Sequence, residues 1–137
     1  MLWLDWLLAK TFPTTSGDPA IVDTLIRRKC RIRLSKKLEN EVIANVRRRI
    51  GVFPDTAIPV WRKVRDTHGC VASRALASVR LPKKVLDAMP EDDVHLIRLA
   101  VAAKAGWVVT RDSGVLAAAR ACKSIHVTIL DAADMSI

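Results

Sequence analysis

The 137-residue chain lacks the features that mark several large classes of protein. Every apolar run is shorter than the roughly 18 residues that are needed to span a bilayer. The three cysteines are widely spaced and form no Cys-x-x-Cys pair, which argues against a disulfide framework and against a zinc site. Glutamine is absent and only two asparagines occur, a weak sign of the amide depletion seen in thermophiles.

Two catalytic sequence patterns are also missing. No Gly-x-x-x-x-Gly-Lys-Ser/Thr segment is present to cradle a nucleotide phosphate. The histidines are spread along the chain at His68, His95 and His126, and each is predicted to be a surface or strand residue rather than a ligand. Nucleotide hydrolysis by a phosphate loop and hydrolysis by a Ser–His–Asp arrangement are therefore not expected.

The first ten residues, MLWLDWLLAK, are apolar but carry an aspartate in their middle. They lack the basic lead and the small-residue cleavage site of a signal peptide. We interpret them as a buried first strand ending at Asp5, and we expect a cytoplasmic protein with no membrane partner. Because half of the residues are hydrophobic and no repeat or long linker interrupts them, residues 1–137 are expected to form one domain.

Positive charge is the most informative bulk property of the chain. Lys and Arg number 23 against 14 Asp and Glu, which gives a formal net charge of +9. Much of the excess lies in four clusters, at residues 27–33, 47–49, 62–65 and 80–84. Such clusters attract polyanions, although a generally basic, solvated surface has the same composition. The charge therefore favours a nucleic-acid partner without choosing between DNA and RNA.

Strand-like and helix-like segments alternate along the chain. After the first strand, the pattern predicts a helix at about 19–28, a strand at 30–35, a helix from a Ser35 cap to about Ile50, and two short helices within 52–88. A helix between Pro90 and Gly106, the buried strand WVVT, a helix from Ser113 and a last strand IHVTIL follow. This order predicts an α/β fold with a central, mostly parallel sheet flanked by helices.

Acidic residues occur where ligands collect in such sheets, at the carboxyl ends of strands. Asp5 follows the first strand, and Asp112 follows WVVT beside the hydroxyl of Thr110. Asp93 falls near the middle of the apolar face of its helix, whereas His95 points away, and a buried carboxylate needs a cation, a proton or a partner. The alternatives are helix capping for Asp112, a dipole interaction for Asp93 and a partly exposed strand end for Asp5.

Two glutamates compete for one further position. On the helix after Ser35, Glu41 lies at the edge of the apolar side and Glu39 lies closer to its centre. Helix phase therefore does not select Glu41, and a solvated or salt-bridged side chain is the alternative for either residue. Together the acids suit a hard divalent cation such as Mg²⁺ or Mn²⁺, which bridges to phosphate. In a basic protein, such a site suggests metal-assisted hydrolysis of phosphodiesters.

The segment EDDVHLIRLAVAAKAGWVVTRDSGVL, residues 91–116, resembles the C-terminal third of the PIN-domain ribonucleases, a family that includes the VapC-type toxins of prokaryotic toxin–antitoxin pairs. In it an Asp opens a helix, an Ala follows seven residues later, and a strand ends in Thr-Arg-Asp. LSKKLENEV is similar to the family's strand-end Ser followed six residues on by an acid, which selects Glu41 over Glu39. MLWLD resembles its short first strand, so the resemblance covers nearly the whole chain.

This resemblance implies a three-layer PIN-like fold, Mg²⁺ or Mn²⁺ as the cofactor, and endonuclease action on RNA. The catalytic and metal-binding acids that it implies are Asp5, Glu41, Asp93 and Asp112, with Thr110 as the auxiliary hydroxyl. An acidic antitoxin protein and a homodimer are the implied partners besides RNA. Where the family has a small polar pair after the first acid, this chain has Trp6 and Leu7.

Basic side chains beside the expected cleft are predicted to position the RNA by neutralising its phosphates. The residues concerned are Arg47, Arg48, Arg49, Lys83 and Lys84. The alternative functions are a non-catalytic PIN-like module that binds nucleic acid and a housekeeping nuclease that processes RNA.

Overall fold

The computed structural model describes residues 20–50, 54–71 and 76–135. The chain divides into two compact units, Met1–Val71 and Ala72–Ile137. The structure is mixed α/β, and its strands pair in parallel, as the alternating pattern predicts. The single domain expected over residues 1–137 stays a prediction.

The first unit contains three helices and a parallel pair of strands among its described residues. Its elements are α1 (Ala20–Arg27), β1 (Ile32–Leu34), α2 (Lys36–Ile50), α3 (Pro54–His68) and β2 (Gly69–Val71). The two strands run in register from Ile32 opposite Gly69 to Leu34 opposite Val71. The helices bury one face each around the strands, and the resulting core consists of Val22, Leu34, Val42, Val46 and Trp61.

The prediction of two helices within residues 52–88 is confirmed in number, but the first of the two is not short. A single 15-residue helix, α3, runs through Pro59, although proline lacks the N–H for one helical hydrogen bond. Trp61, two residues further on, is almost fully buried in the core of the first unit. Packing of that face outweighs the local preference of proline, since most helix stability in proteins comes from tertiary contacts.

Strand β2 follows α3 without any loop, and the sequence pattern does not predict it. Gly69 makes the abrupt change of direction possible, because a Cβ at this position would lie 2.6 Å from the backbone oxygen of Arg65. Arg31 supports the junction by donating a hydrogen bond to the Gly69 carbonyl over 2.9 Å.

The second unit begins, in its described part, with the short 3-10 helix Leu76–Ser78. Its further elements are α4 (Lys83–Ala88), a 3-10 turn at Glu91–Asp93, α5 (Val94–Ala102), β3 (Trp107–Thr110), α6 (Ser113–Ala117), α7 (Ala119–Cys122), a 3-10 turn at Lys123–Ile125, β4 (Thr128–Asp131) and a 3-10 turn at Ala132–Met135. Strands β3 and β4 pair in parallel from Trp107 opposite Thr128 to Thr110 opposite Asp131.

The core of the second unit lies against one face of the β3–β4 pair. Its fully buried members are drawn from α4 to β4 and include Val85, Ile97, Val115, Ala118 and Cys122. Val108 and Ile129, which face each other in the register, pack into this core. The prediction that WVVT is a buried strand is wrong for Trp107, because its side chain is 55% exposed.

Three helical segments end in the same way, with a basic residue in the left-handed conformation. The φ values are 58° at Lys29, 52° at Lys104 and 59° at His126. In each case the N–H of this residue bonds the carbonyl three positions back, and the next N–H bonds the carbonyl five positions back. This is the Schellman arrangement, which usually takes glycine. Helix α5 therefore ends through Lys104, and the prediction that Gly106 closes it is wrong.

The four described strands form two separate two-stranded pairs. A three-layer arrangement with one central sheet stays a prediction. None of the helices within the described ranges is long and apolar enough to cross a membrane.

Candidate functional site

Asp112 begins the turn between β3 and α6, and its carboxylate is held by the backbone of that turn. Oδ1 accepts hydrogen bonds from the N–H groups of Gly114, at 2.8 Å, and Val115, at 3.2 Å. The N–H of Asp112 itself donates to the Thr110 hydroxyl oxygen over 3.0 Å. Thr110 and Asp112 are therefore joined at the carboxyl end of β3, and the carboxylate caps α6.

The turn after β3 lies directly against the segment that carries Asp93. A Cβ on Gly114 would lie 2.9 Å from Cγ of Pro90 and 3.1 Å from Oδ1 of Asp112. Only a residue without a side chain fits this approach. Pro90 immediately precedes the turn Glu91–Asp93. The packing of Gly114 against Pro90 therefore brings Asp93 close to Asp112, which belongs to a different element.

Asp93 is half-buried and does not cap the helix that it precedes. It occupies the position before α5, but its side chain makes no capping hydrogen bond. Burial raises the pKa of its carboxyl above the ordinary 3.8, and the negative charge of Asp112 adds to the rise. His95 opposes the rise in pKa, and Asp92 adds a smaller increase. Asp93 and Asp112 are thus close enough to repel each other when both are ionised.

His95 is the residue of this site whose position the sequence predicts wrongly. Helix phase directs it away from the apolar face, yet it is buried, with 8% of its surface exposed. Helix α5 packs against both β3 and the turn Leu76–Ser78. Since more than one side of the helix is covered, the direction of a single apolar stripe does not determine which side chains are buried.

Asp131 occupies the carboxyl end of β4, directly opposite Thr110 in the register. Its Oδ1 accepts a hydrogen bond from the N–H of Ala133 over 2.9 Å, so it caps the following turn much as Asp112 caps α6. Asp131 is not among the acids that the sequence pattern selects. The signal was present, because Asp131 follows an apolar strand just as Asp112 follows WVVT.

Glu41 belongs to the first unit, on α2, where its side chain is half-buried. Ser35 caps this helix as predicted, with its hydroxyl oxygen accepting from the N–H of Leu38 over 3.1 Å. Glu39 has a different environment, because both of its carboxylate oxygens accept from Nη1 of Arg65, at 3.1 Å and 3.0 Å. The salt-bridged alternative therefore applies to Glu39, which joins α2 to α3.

Asp5 lies outside the described residues, together with Trp6 and Leu7. Among the predicted RNA-binding residues, the side chains of Arg47, Arg48, Lys83 and Lys84 are exposed, while that of Arg49 lies outside the described part.

Asp93 and Asp112 offer two neighbouring carboxylates, and a cation bound between them would neutralise the negative charge of both. Carboxylate oxygens are the preferred protein ligands of Mg²⁺ and Mn²⁺. The pair is a partial ligand set, since no group of three or more His, Cys, Asp or Glu suited to a metal ion occurs within the ranges that the structure describes. No family model, curated protein or solved structure matches this chain.

Proposed function

We propose that this chain is a metal-dependent endoribonuclease that hydrolyses RNA phosphodiester bonds with Mg²⁺ or Mn²⁺ as its cofactor. The observation that carries the proposal is the approach of Asp93 to Asp112, in which burial and the neighbouring charge both raise the pKa of the Asp93 carboxyl. Perturbed acids of this kind concentrate at functional sites. A divalent cation bound by both carboxylates removes their repulsion.

The two carboxylates fit such a cation in different ways. Asp112 is oriented in advance, because Gly114 and Val115 hold one of its oxygens. Asp93 has no capping role that would compete with a ligand. Asp93 and Asp112 would hold the divalent ion, whose positive charge would stabilise the scissile phosphate as it becomes more negative and would favour deprotonation of the attacking water.

The remaining residues of the proposal support Asp112, neutralise the substrate's phosphates or complete the acidic set. The Thr110 hydroxyl keeps the turn of Asp112 in place through the 3.0 Å hydrogen bond from the Asp112 N–H. Four exposed basic side chains neutralise RNA phosphates without reading the base sequence. They are Arg47, Arg48, Lys83 and Lys84. The resemblance to PIN-domain ribonucleases adds Asp5 and Glu41 to the acidic set, and it extends the proposal to a three-layer fold, an acidic antitoxin protein and a homodimer.

A non-catalytic module that binds nucleic acid is the second candidate. Two observations favour it. Trp6 and Leu7 stand where the family has a small polar pair. In the described part of the chain, the Asp93–Asp112 pair has no third His, Cys, Asp or Glu in a metal-binding arrangement with it.

Cleavage of labelled single-stranded RNA in the presence of Mg²⁺, Mn²⁺ or EDTA tests the proposal. The wild-type chain should cleave only with metal, and Asp93→Asn should abolish this cleavage. Asp92→Asn is the matched control, because it removes the same charge from an exposed neighbour in the same turn. Wild-type rates in Asp93→Asn would contradict the assignment of Asp93 as a ligand.

Calorimetric titration with Mn²⁺ separates the two candidates. An enzyme should bind Mn²⁺, and Glu41→Gln should weaken this binding while Glu39→Gln, which only breaks the pair with Arg65, should not. A chain that binds RNA but neither binds Mn²⁺ nor cleaves would support the non-catalytic module. A small acidic open reading frame beside the gene would favour the toxin over a housekeeping nuclease.

A further inference from the structure

An exposed tryptophan lies at the amino-terminal end of the β3–β4 pair, at the opposite end of β3 from Asp112. Trp107 is 55% exposed, and Leu86, at 40%, is the other exposed large hydrophobic side chain in the described part of the chain. Trp107 lies opposite Thr128 in the register, one position before Val108 and Ile129. Because Val108 and Ile129 pack into the core, Trp107 and Thr128 lie on the other face of the strand pair.

Exposed basic residues precede both strands at this end of the pair. The N–H of Thr128 donates to the Gly106 carbonyl over 2.9 Å, which joins the two turns that lead into β3 and β4. Lys104 lies two residues before Gly106, and His126 lies two residues before Thr128; both have the left-handed conformation. Both side chains are exposed, as is that of Lys123. Neither segment 102–108 nor segment 123–130 contains an acidic residue. We define the Trp107 patch as Lys104, Trp107, Lys123, His126 and Thr128.

The backbone that leads into β3 is open to solvent at Gly106, the residue before Trp107. A Cβ added at Gly106 would meet no atom within 4 Å. The exposed apolar surface of the Trp107 patch is one aromatic side chain among cations, whereas a protein partner usually requires a larger apolar centre. An exposed aromatic ring at a strand end whose leading turns carry lysines suits single-stranded nucleic acid, because every base has a face that stacks and every linkage carries a negative charge.

We propose that the Trp107 patch binds single-stranded nucleic acid, with a base stacked on the Trp107 indole and phosphates neutralised by Lys104 and Lys123. Trp107 and Thr110 are three residues apart along β3, which corresponds to roughly 10 Å at the rise of a strand. The Trp107 patch is therefore a binding site separate from the Asp93–Asp112 pair. It requires neither metal nor catalysis.

Fluorescence anisotropy with the full chain in EDTA tests this site. The ligands are a short labelled oligouridine and an abasic strand of the same length, which carries the same phosphates but no bases. Trp107→Ala should weaken oligouridine binding by about 5-fold to 150-fold and leave the affinity for the abasic strand unchanged, since stacking alone is removed. Trp107→Phe should recover part of the affinity and guards against a folding defect in the alanine variant.

The charged residues of the patch give a second, independent readout. Lys104→Gly combined with Lys123→Ala should lower the log–log salt slope by about 1.4, or about 0.7 for each phosphate that is no longer neutralised. Glycine is used at Lys104 because it adopts the positive φ of 52° without strain. Trp107→Ala should not change the slope, because it removes no charge.

Leu86→Ala is the matched control, because it truncates the other exposed large apolar side chain in the described part of the same unit. It should leave both affinities unchanged. Equal losses in Leu86→Ala and Trp107→Ala, equal losses on the two ligands, or unchanged oligouridine binding in Trp107→Ala would overturn the inference. If Trp107→Ala changed the oligomeric state measured by sedimentation but left oligouridine binding unchanged, the Trp107 patch would be a protein interface instead. Since EDTA suppresses cleavage, these outcomes do not depend on the proposed nuclease activity.

Discussion

Asp112 caps α6 through one carboxylate oxygen, which accepts from the N–H groups of Gly114 and Val115. Asparagine caps a helix about as well as aspartate but carries no charge. We expect Asp112→Asn to retain most of the free energy of unfolding and to lose Mn²⁺ binding and cleavage. Asp112→Ala should lose the cap as well, at a cost of about 1 kcal/mol.

Chemical unfolding of the two Asp112 variants, measured beside Mn²⁺ titration, checks this separation. Ser35→Ala is a control for the loss of a cap alone, because Ser35 caps α2 through the N–H of Leu38. Normal Mn²⁺ binding by Asp112→Asn would mean that Asp112 is only a cap.

The contribution of Asp93 to the free energy of unfolding falls as the pH rises, which is the opposite of the usual behaviour of an aspartate. Its pKa in the folded chain is raised above the ordinary 3.8, so folding favours the protonated form. This contribution is fully present below the unfolded pKa and is lost as the pH rises through the raised folded value. Asp93→Asn cannot ionise, and in EDTA it should therefore gain stability relative to the wild type as the pH rises from about 4 to about 7.

Thermal unfolding of the wild type and Asp93→Asn across that pH range measures the effect. Asp92→Asn serves as the comparison, because Asp92 is an exposed acid in the same turn. Its stability relative to the wild type should vary much less with pH. A difference between Asp93→Asn and the wild type that stays constant across the range would show that the Asp93 carboxyl is not perturbed.

At the scale of elements, the ends of the helices are the most regular feature of the structure. Lys29, Lys104 and His126 all take the left-handed conformation that glycine adopts most readily, and each is followed within three residues by a strand. A non-glycine residue in this conformation is strained. The ammonium groups of Lys29 and Lys104 also interact favourably with the dipole at the C-terminus of the preceding helix, which offsets part of that strain.

Lys104→Gly should raise the free energy of unfolding by roughly 0.5–1 kcal/mol, because it relieves about 1–2 kcal/mol of strain at a φ of 52° and loses about 0.5–1 kcal/mol through the backbone entropy of glycine. Lys104→Ala removes the same ammonium group but keeps the strain, so it should give no gain. Denaturant unfolding of the two variants checks the prediction. Equal stabilities for the glycine and alanine variants would show that the turn is not under strain.

At the scale of the whole molecule, the excess of positive charge is distributed over exposed side chains on several elements. Arg47 and Arg48 are exposed near the C-terminal end of α2, and Lys36 and Lys37 are exposed at its N-terminal end. The two ends of a 15-residue helix are about 20 Å apart. Replacing either pair with alanine therefore removes two positive charges, but from different places on the surface.

Arg47→Ala with Arg48→Ala should weaken RNA binding and lower its log–log salt slope by about 0.7 for each phosphate that the arginines no longer neutralise, with Mn²⁺ binding unchanged. Lys36→Ala with Lys37→Ala should have a smaller effect on both quantities. Anisotropy titrations at several salt concentrations provide the measurement. An unchanged slope in the arginine variant would direct attention to Arg62 and Lys63, which are exposed, rather than to Arg65, which is held by Glu39 and Asp66.

The sequence by itself determined the features that depend on near neighbours. The Ser35 cap, the helix that follows it, the strand Trp107–Thr110 and the capping oxygen of Asp112 all involve residues at most a few positions apart. Propensity, capping and turn chemistry act at this range, so the pattern of residues is sufficient to predict them. The parallel pairing follows from the alternation of strands and helices.

Only the tertiary structure decided which side chains meet. The helix through Pro59, the burial of His95, the exposure of Trp107 and the pairing of Glu39 with Arg65, 26 residues away, each depend on the element packed against that position. The approach of Asp93 to Asp112 depends on the fit of Gly114 against Pro90. Burial and charge act through space between residues that are far apart in the chain, and a local sequence pattern does not specify how close such residues lie in the fold.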